Sequence, residues 1–310
     1  MLKPARALAF RRSSIVTITA LALALTFGLL SSGPALPSAT AAPVFNAPLS
    51  IATDCSVDVS EQLATWLDSL PDNAIAVLRP GACYRNEVPV LVREAVGLTI
   101  DGNGATFKRT RLTPDTSPYA GGNRHLWFKG GRNLTVRNLR VEGINTKPDS
   151  EPGFASFSKK YEFEHALAFH GVQGVVVQNV TVYGVWGDGI WLGAKPARPE
   201  FLPTSNVLIS NVTIDLNGRQ GIAMTEANGV LIDNVKILRS RRAGIDLEPP
   251  ADSRLVTNVE IRNSYIRSNL FPIASYGSGR VENIYIHHNT IDRAGSGLWV
   301  HVKAPDYNRR

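Results

Sequence analysis

The sequence predicts an all-β solenoid, in which coils of chain contribute short strands that pair in parallel with the coils above and below. One recurring pattern carries most of that prediction. Asn or Gly is followed by apolar, any, apolar, any, Asn, any, any, apolar at Asn133–Val141, Gly174–Val182, Asn206–Ile214, Gly229–Ile237 and Asn258–Ile266. A sixth copy at Asn283–Ile291 has His288 where the second Asn should stand. The starts lie 41, 32, 23, 29 and 25 residues apart. A constant strand with a variable interval describes a coil whose loops grow outward while its core stays fixed. Strand side chains alternate between faces, so each copy turns two apolar residues inward with an outward residue between them.

The elements follow in order. Lys3, Arg6, Arg11 and Arg12 precede an apolar run, Ile15 to Leu30, and a small-residue stretch ending near Ala39-Thr40-Ala41. This is secretory signal architecture over residues 1–41, with a run short for a retained membrane span. Arg11-Arg12 leaves both the general and the twin-arginine export routes open. Residues 42–51 read as a flexible lead-in, and 52–310 as the solenoid domain. Val59, Leu63, Trp66, Leu67 and Leu70 have helical spacing, with Asp58 or Ser60 as cap, and predict an N-terminal capping helix over an otherwise exposed strand edge. Ala74–Leu78, Val88–Val92 and Leu98–Ile100 read as strands, and Asp101-Gly-Asn-Gly104 as a turn.

A second strand column precedes each repeat: Leu126–Lys129, Leu167–His170, Ile190–Gly193, Ile222–Thr225, Ile245–Glu248, Ile273–Tyr276 and Leu298–His301. Its first and third positions are almost always apolar and should point inward; the second and fourth then point out. After Leu298-Trp299-Val300 only a short polar tail remains, and no capping helix is legible. The tail could fold over the edge, a partner could cover it, or the chain could continue.

The second Asn of each repeat (Asn138, Asn179, Asn211, Asn234, Asn263) falls in one axial column at about 4.8 Å per rung, where amides can bond along the stack. This resembles the asparagine ladder of right-handed parallel β-helices, the pectate-lyase-like superfold. The resemblance runs from about Ala52 to the C-terminus and implies a single-stranded right-handed parallel β-helix of about seven coils. It implies much less about chemistry, since such folds host many functions. Asn133, Asn179 and Asn211 also begin Asn-x-Thr triplets, but Asn179 and Asn211 are ladder positions, so glycosylation is the weaker reading.

The formal charge is +7, and removing residues 1–41 with their four basic side chains lowers it to about +3. No basic stretch is interleaved with aromatics, which argues against a nucleic-acid partner. Cys55 and Cys83 are the two cysteines, and an exported chain favours a bridge between them. No His or Cys lies near them at ligand spacing, so no metal site is expected there. No cofactor is required; calcium is compatible with the acids, although no loop of closely spaced carboxylates demands it. Nothing fixes an oligomeric state.

The outward positions hold the candidate chemistry. Trp127, Trp191, Asp246 and Trp299 share one column, and Lys129, His170, Thr225, Glu248 and His301 the next. Asp188, Arg219, Gln220, Arg241 and Arg242 enter from the preceding turns. Flat rings stack on sugars, and carboxylates, His and Arg direct hydrogen bonds, so an extended polysaccharide is the expected partner. Asp188, Asp246 and Glu248 are the catalytic candidates. Trp127, His170, Trp191, Arg219, Gln220, Arg242, Trp299 and His301 are the substrate-binding ones. Asp246 and Glu248 lie about 6.6 Å apart along one strand, and Asp188 lies two rungs, about 9.6 Å, from Asp246. Such spacings suit inverting hydrolysis, in which one carboxyl protonates the leaving oxygen and another activates water.

Gly218-Arg-Gln-Gly-Ile222 and Gly244-Ile-Asp-Leu-Glu-Pro249 resemble motifs of exported bacterial β-helix proteins. Two other readings remain. A lyase or uronate epimerase would use the arginines to neutralise a uronate and His170 or His301 as base. However, pectate-lyase signatures are missing and the polygalacturonase set is incomplete, with no adjacent Asp pair and no Arg-Ile-Lys. A noncatalytic carbohydrate-binding or cell-surface solenoid would keep the aromatics and leave the acids scattered and paired off. The sequence leans toward an enzyme, secreted or at the cell surface.

Overall fold

The computed structural model describes residues 41–112, 123–146, 153–197, 201–292 and 298–300. The sequence-read signal segment lies outside them except for residue 41, and so does the C-terminal tail with His301. From Ala42 onward the chain forms one unit. Its strands stack in parallel on three faces. One face holds Val44–Asn46, Ile75–Val77, Thr99–Asp101, the first halves of Arg132–Glu142 and Gln173–Tyr183, then Thr204–Ser210, Ala227–Asp233, Leu255–Arg262 and Arg280–His287. The next continues from Asp54–Asp58 and Cys83–Arg85 to Thr290–Asp292. The third is a sheet of eight described strands from Val90–Arg93 to Leu298–Val300.

The eight described strands of the third sheet agree with the sequence's count of about seven coils and add one at the N-terminal end. The early coils bend at Cys55, Asn73, Glu94 and Asn103, residues outside the repeat, and so escape the pattern. Residues 42–51 are likewise not a flexible lead-in. Val44–Asn46 pairs in parallel with Ile75–Val77, and Ala47 and Ile51 are buried. The segment is too short to show a repeat, and only its partner strand reveals it.

Alternation behaves as expected. Leu134 and Val136, Val175 and Val177, Val207 and Ile209, Val230 and Ile232, and Val259 and Ile261 are all buried. Inside the third sheet, Phe128 and Phe169 stack with centroids 4.8 Å apart. The Asn columns have a second cause beyond amide stacking. Asn138, Asn179, Asn211, Asn234 and Asn263 all have φ between 52° and 56°, where an ordinary side chain costs about 1–2 kcal/mol and Asn or Gly is tolerated. The first repeat position shares that conformation at Asn133, Gly174, Asn206, Gly229, Asn258 and Asn283. These residues turn the corners. Their amides form short runs: Asn179 Nδ2 donates to Asn138 Oδ1 (3.2 Å), and Asn234 Nδ2 to Asn211 Oδ1 (2.7 Å). His288 keeps the bend at φ 55°.

Helix α1 (Ser60–Asp68) buries Leu63 and Leu67 and packs on Val90–Arg93, the first strand of the eight-stranded sheet. It covers the edge where a ninth strand would stand. Asp58 receives Ser60 N–H at 3.0 Å just ahead of the helix. The Cys55–Cys83 disulfide joins the neighbouring strands Asp54–Asp58 and Cys83–Arg85, with Cα atoms 5.1 Å apart.

Two excursions flank the eight-stranded sheet. A segment including residues 153–166 reaches along the stack, where Ala155 N–H bonds Arg239 O and Phe157 lies 5.4 Å below the Arg242 guanidinium. A short antiparallel hairpin, Lys195–Pro196 with Phe201–Leu202, leaves from the other end of the strands.

Candidate active site

Register fixes what shares the outward surface of the third sheet. Trp127, Ala168, Trp191, Ala223, Asp246, Ala274 and Trp299 follow one another from strand to strand. Lys129, His170 and Gly193 do the same two residues later. The strands approach closely where they enter the sheet. A Cβ on Gly221 would stand 2.5 Å from Gly244 O and 2.7 Å from Ile237 Cγ2, and Gly189 and Gly244 are as tightly approached, which explains the Gly before Ile190, Ile222 and Ile245. Asp188, Gln220, Arg219 and Arg242 sit just upstream of these glycines, on turns held by backbone bonds such as Gln220 O to Gly189 N–H (3.1 Å) and Arg219 O to Arg242 N–H (3.2 Å).

The predicted acids converge. Arg219 is the hub: Nη1 reaches Asp188 Oδ2 at 3.1 Å, Nη2 reaches Glu248 Oε1 at 3.4 Å, and Nε lies 3.9 Å from Glu162 Oε2. Gln220 is the second bridge. Its backbone N–H donates to Asp188 Oδ1 (3.0 Å) and its Nε2 to Asp246 Oδ2 (3.0 Å). Asp188 is fully buried with both oxygens engaged. Asp246 is only 5% exposed, and its Oδ1 has no hydrogen-bond partner among the described residues.

Burial of so many acids moves their protonation. Desolvation pushes Asp188 up to about 7 against the opposing pull of Arg219. Asp246 is also pushed up to about 7, first by burial and then by the Glu248 charge. Glu248 is raised by burial, with Arg219 and Arg242 holding it back. The cluster therefore holds exchangeable protons near neutrality, the condition for carboxyl acid–base work.

Trp191 is half-buried and lies beside the cluster. His165 stacks nearly parallel to it at 6.0 Å, and His170 lies at 4.3 Å. A Cβ at Gly193 would fall 1.9 Å from the Trp191 ring, so glycine is what lets the indole lie flat there. Trp127 corrects the sequence expectation. It is 7% exposed, with Arg124 and Lys129 folded over its ring at 4.6 and 5.3 Å, and is no open platform. Its Nε1–H donates to His170 Nδ1 at 2.6 Å. That bond places the proton of neutral His170 on Nε2 and leaves it no lone pair for proton abstraction. Burial, with Arg124 and Lys129, lowers His170 to about 3. Trp299 keeps its predicted register, but its side chain and His301 lie outside the described residues.

Three groups escaped the sequence reading. Glu162 joins Arg219 from the 153–166 excursion. Buried His165 accepts the Asp188 N–H through Nδ1 at 3.0 Å. Glu164 is fully buried against His125 (3.2 Å) and is raised to about 7 by burial. No periodic signal marks an excursion. The one hint was a run of acid and His, Glu162-Phe-Glu-His165, just before a strand. Among the described residues no three His, Cys, Asp or Glu side chains are placed to hold a metal, and no helix is long and apolar enough to cross a membrane.

Stacked parallel coils bearing a polar side-chain cluster on one sheet define a parallel β-helix protein. The family model for the right handed beta helix region matches residues 127–308, and the chain belongs to that family. No curated protein sequence matches it. Among solved structures, the Yersinia enterocolitica family 28 exopolygalacturonase aligns with TM-score 0.60 at 11% identity, covering 84% of this chain and 61% of that one. The tailspike protein of E. coli bacteriophage HK620, solved with a pentasaccharide, aligns with TM-score 0.50 at 11% identity, covering 83% and 51%. The chain thus spans half to three-fifths of those proteins, and the likeness is one of fold.

Proposed function

We propose that the protein is exported and hydrolyses glycosidic bonds of an extended polysaccharide lying in the groove over Trp191, Asp246 and Glu248. The observation that carries this reading is the convergence of Asp188, Asp246 and Glu248 on Arg219 and Gln220, with two of the acids raised to about 7. Scattered, singly paired acids would have favoured a binding solenoid instead. The roles divide by exposure. Asp246, protonated and with one oxygen unpartnered, donates to the leaving oxygen. Glu248 activates water. Asp188, wholly engaged, holds Arg219 and Gln220 in place. Trp191 stacks on a sugar ring. The structural neighbours include an exopolygalacturonase and a tailspike protein solved with a pentasaccharide, which agrees with a glycan partner.

Elimination is the weaker reading, because His170 lacks a free lone pair and no other described His reaches the cluster from the exposed side. The test is to incubate the mature protein with neutral and uronic polysaccharides, following new reducing ends and ultraviolet absorbance. Reducing ends without absorbance, lost in Asp246→Ala and Glu248→Ala, are expected. Absorbance from unsaturated ends, or undiminished turnover in both variants, would overturn hydrolysis by these acids.

A further inference from the structure

The turn that carries Asp188 is clamped to the 153–166 excursion. Three consecutive N–H groups, of Trp186, Gly187 and Asp188, donate to Glu164 Oε2 (2.7 Å), Glu164 O (3.0 Å) and His165 Nδ1 (3.0 Å). The approach is close: a Cβ on Gly187 would stand 2.7 Å from Glu164 C and O. Asp188 in turn bonds Arg219 and the Gln220 N–H, so the setting of Glu164 reaches the cluster.

The other carboxyl oxygen of Glu164 faces His125 Nε2 at 3.2 Å, and both side chains are fully buried. The far side of the His125 ring fixes where its proton sits. Asn86 Nδ2 donates to His125 O (3.5 Å), which turns Asn86 Oδ1 toward His125 Nδ1 at 3.1 Å. An amide oxygen only accepts, so His125 carries a proton on Nδ1. In neutral His125, Nε2 is then a bare lone pair, and an ionised Glu164 would set a second acceptor against it. One proton therefore lies between them. Arg109 and Glu87 are the charges that act on both groups. Arg109 lies 4.0 Å from Glu164 Oε1 but directs its nitrogens at the carbonyls of Asn86, Asn123 and Arg124. Glu87 accepts from the Thr110 hydroxyl and the Arg111 N–H. Burial is the largest influence on Glu164 and on His125 and drives each to its neutral form, which puts the shared proton on Glu164.

We propose that Glu164 is a positioning residue that works as a neutral acid: its O–H donates to His125 Nε2, its carbonyl oxygen accepts the Trp186 N–H, and the pair holds Asp188 in the cluster. The protonation stands by itself; the consequence for turnover rests on the hydrolytic reading above.

Nitrogen NMR of the mature protein at about pH 6, below the Glu164 value, reads which ring nitrogen of His125 holds a proton. A neutral ring protonated on Nδ1 is expected. A proton on Nε2, or on both nitrogens, would overturn the neutral acid. Glu164→Gln reproduces both bonds, an N–H to His125 and a carbonyl to Trp186, whereas Glu164→Ala removes them. The titration of the Asp188 carboxyl, followed by carbon NMR, should stay in place in Glu164→Gln. In Glu164→Ala it should fall toward the ordinary aspartate range as the turn loosens and admits water. On a cleaved glycan, kcat should hold in Glu164→Gln and drop by roughly 10²-fold in Glu164→Ala. If melting shows that Glu164→Ala does not fold, Glu164→Met, which keeps the volume without either bond, takes its place. Glu164→Gln as impaired as the apolar variant, or an Asp188 titration unmoved in the apolar variant, would overturn the inference. If the wild type cleaves no glycan, the hydrolytic reading fails, and the two NMR measurements still decide this one.

Discussion

Two surfaces of the same solenoid use the same residue types to opposite ends. On the faces away from the groove, several carboxylates meet an arginine at close range. Arg262 Nη2 bonds Asp233 at 3.0 Å, Arg137 Nε bonds Asp101 at 2.9 Å, and Arg239 Nε bonds Asp215 at 2.7 Å. The bond from Arg262 lowers the pKa of Asp233. Burial acts to raise Asp101, but bonds from Asn138, Asn103 N–H and Arg137 outweigh it and its pKa falls. In the groove, four acids compete for one central guanidinium under heavier burial, and Asp188 and Asp246 rise to about 7. The identity of the residues does not separate the two surfaces. The ratio of acids to cations and the depth of burial do.

The comparison breaks first on turnover. Asp246→Asn and Glu248→Gln should each lower kcat by about 10²–10⁴-fold on a cleaved glycan, whereas Asp233→Asn should leave it unchanged. Steady-state kinetics of the three variants decide it, and an equal loss in Asp233→Asn would erase the distinction.

Stability should separate the surfaces with opposite sign. A carboxyl raised in the folded state contributes stability below its unfolded pKa and loses it as pH rises through the folded value. Asp246→Asn should therefore stabilise the protein at about pH 8, on the order of 4 kcal/mol, with the gain vanishing toward about pH 4. Asp101 is lowered, so its contribution is present above the ordinary aspartate range and lost as pH falls through its folded value. Asp101→Asn should destabilise at neutral pH, and the deficit should close on acidification. Calorimetric melting across that range checks both; matching signs would refute the contrast.

A smaller effect tests the corners. Asn234 sits at φ 54° and donates to Asn211. Asn234→Ala should cost about 1–2 kcal/mol, whereas Asn234→Gly should cost a few tenths, because glycine accepts that conformation. Equal losses in urea unfolding would assign the column to amide stacking instead.

Legibility followed the same division. The repeat exposed the solenoid because every coil must turn a corner at the same place, and only Asn and Gly do so cheaply. The outward columns could be read because parallel register copies strand position from coil to coil. Those columns brought Trp191, Asp246 and Glu248 to one surface, and the turns before them brought Asp188, Arg219, Gln220 and Arg242. Glu162 and His165 could not be read this way, since they arrive on an excursion whose path is set by its own packing, with Phe157 under Arg242. The burial of Trp127 was hidden for a related reason. Alternation says which side of the sheet a residue occupies, but not that Arg124 and Lys129 will fold over it.

The strict parallel register also imposes a ruler on the groove. Strand-borne groups can be moved along the axis only in whole divisions of about 4.8 Å, by gaining or losing a complete coil. Trp191 and Asp246 stand two such divisions apart. Finer adjustment falls to side chains long enough to reach between the marks, and that is where Arg219 and Gln220 act, each spanning acids that belong to different coils. Change in this groove is accordingly of two kinds. Whole coils add or remove outward positions along the axis, and the bridging side chains alter how the acids of different coils are paired.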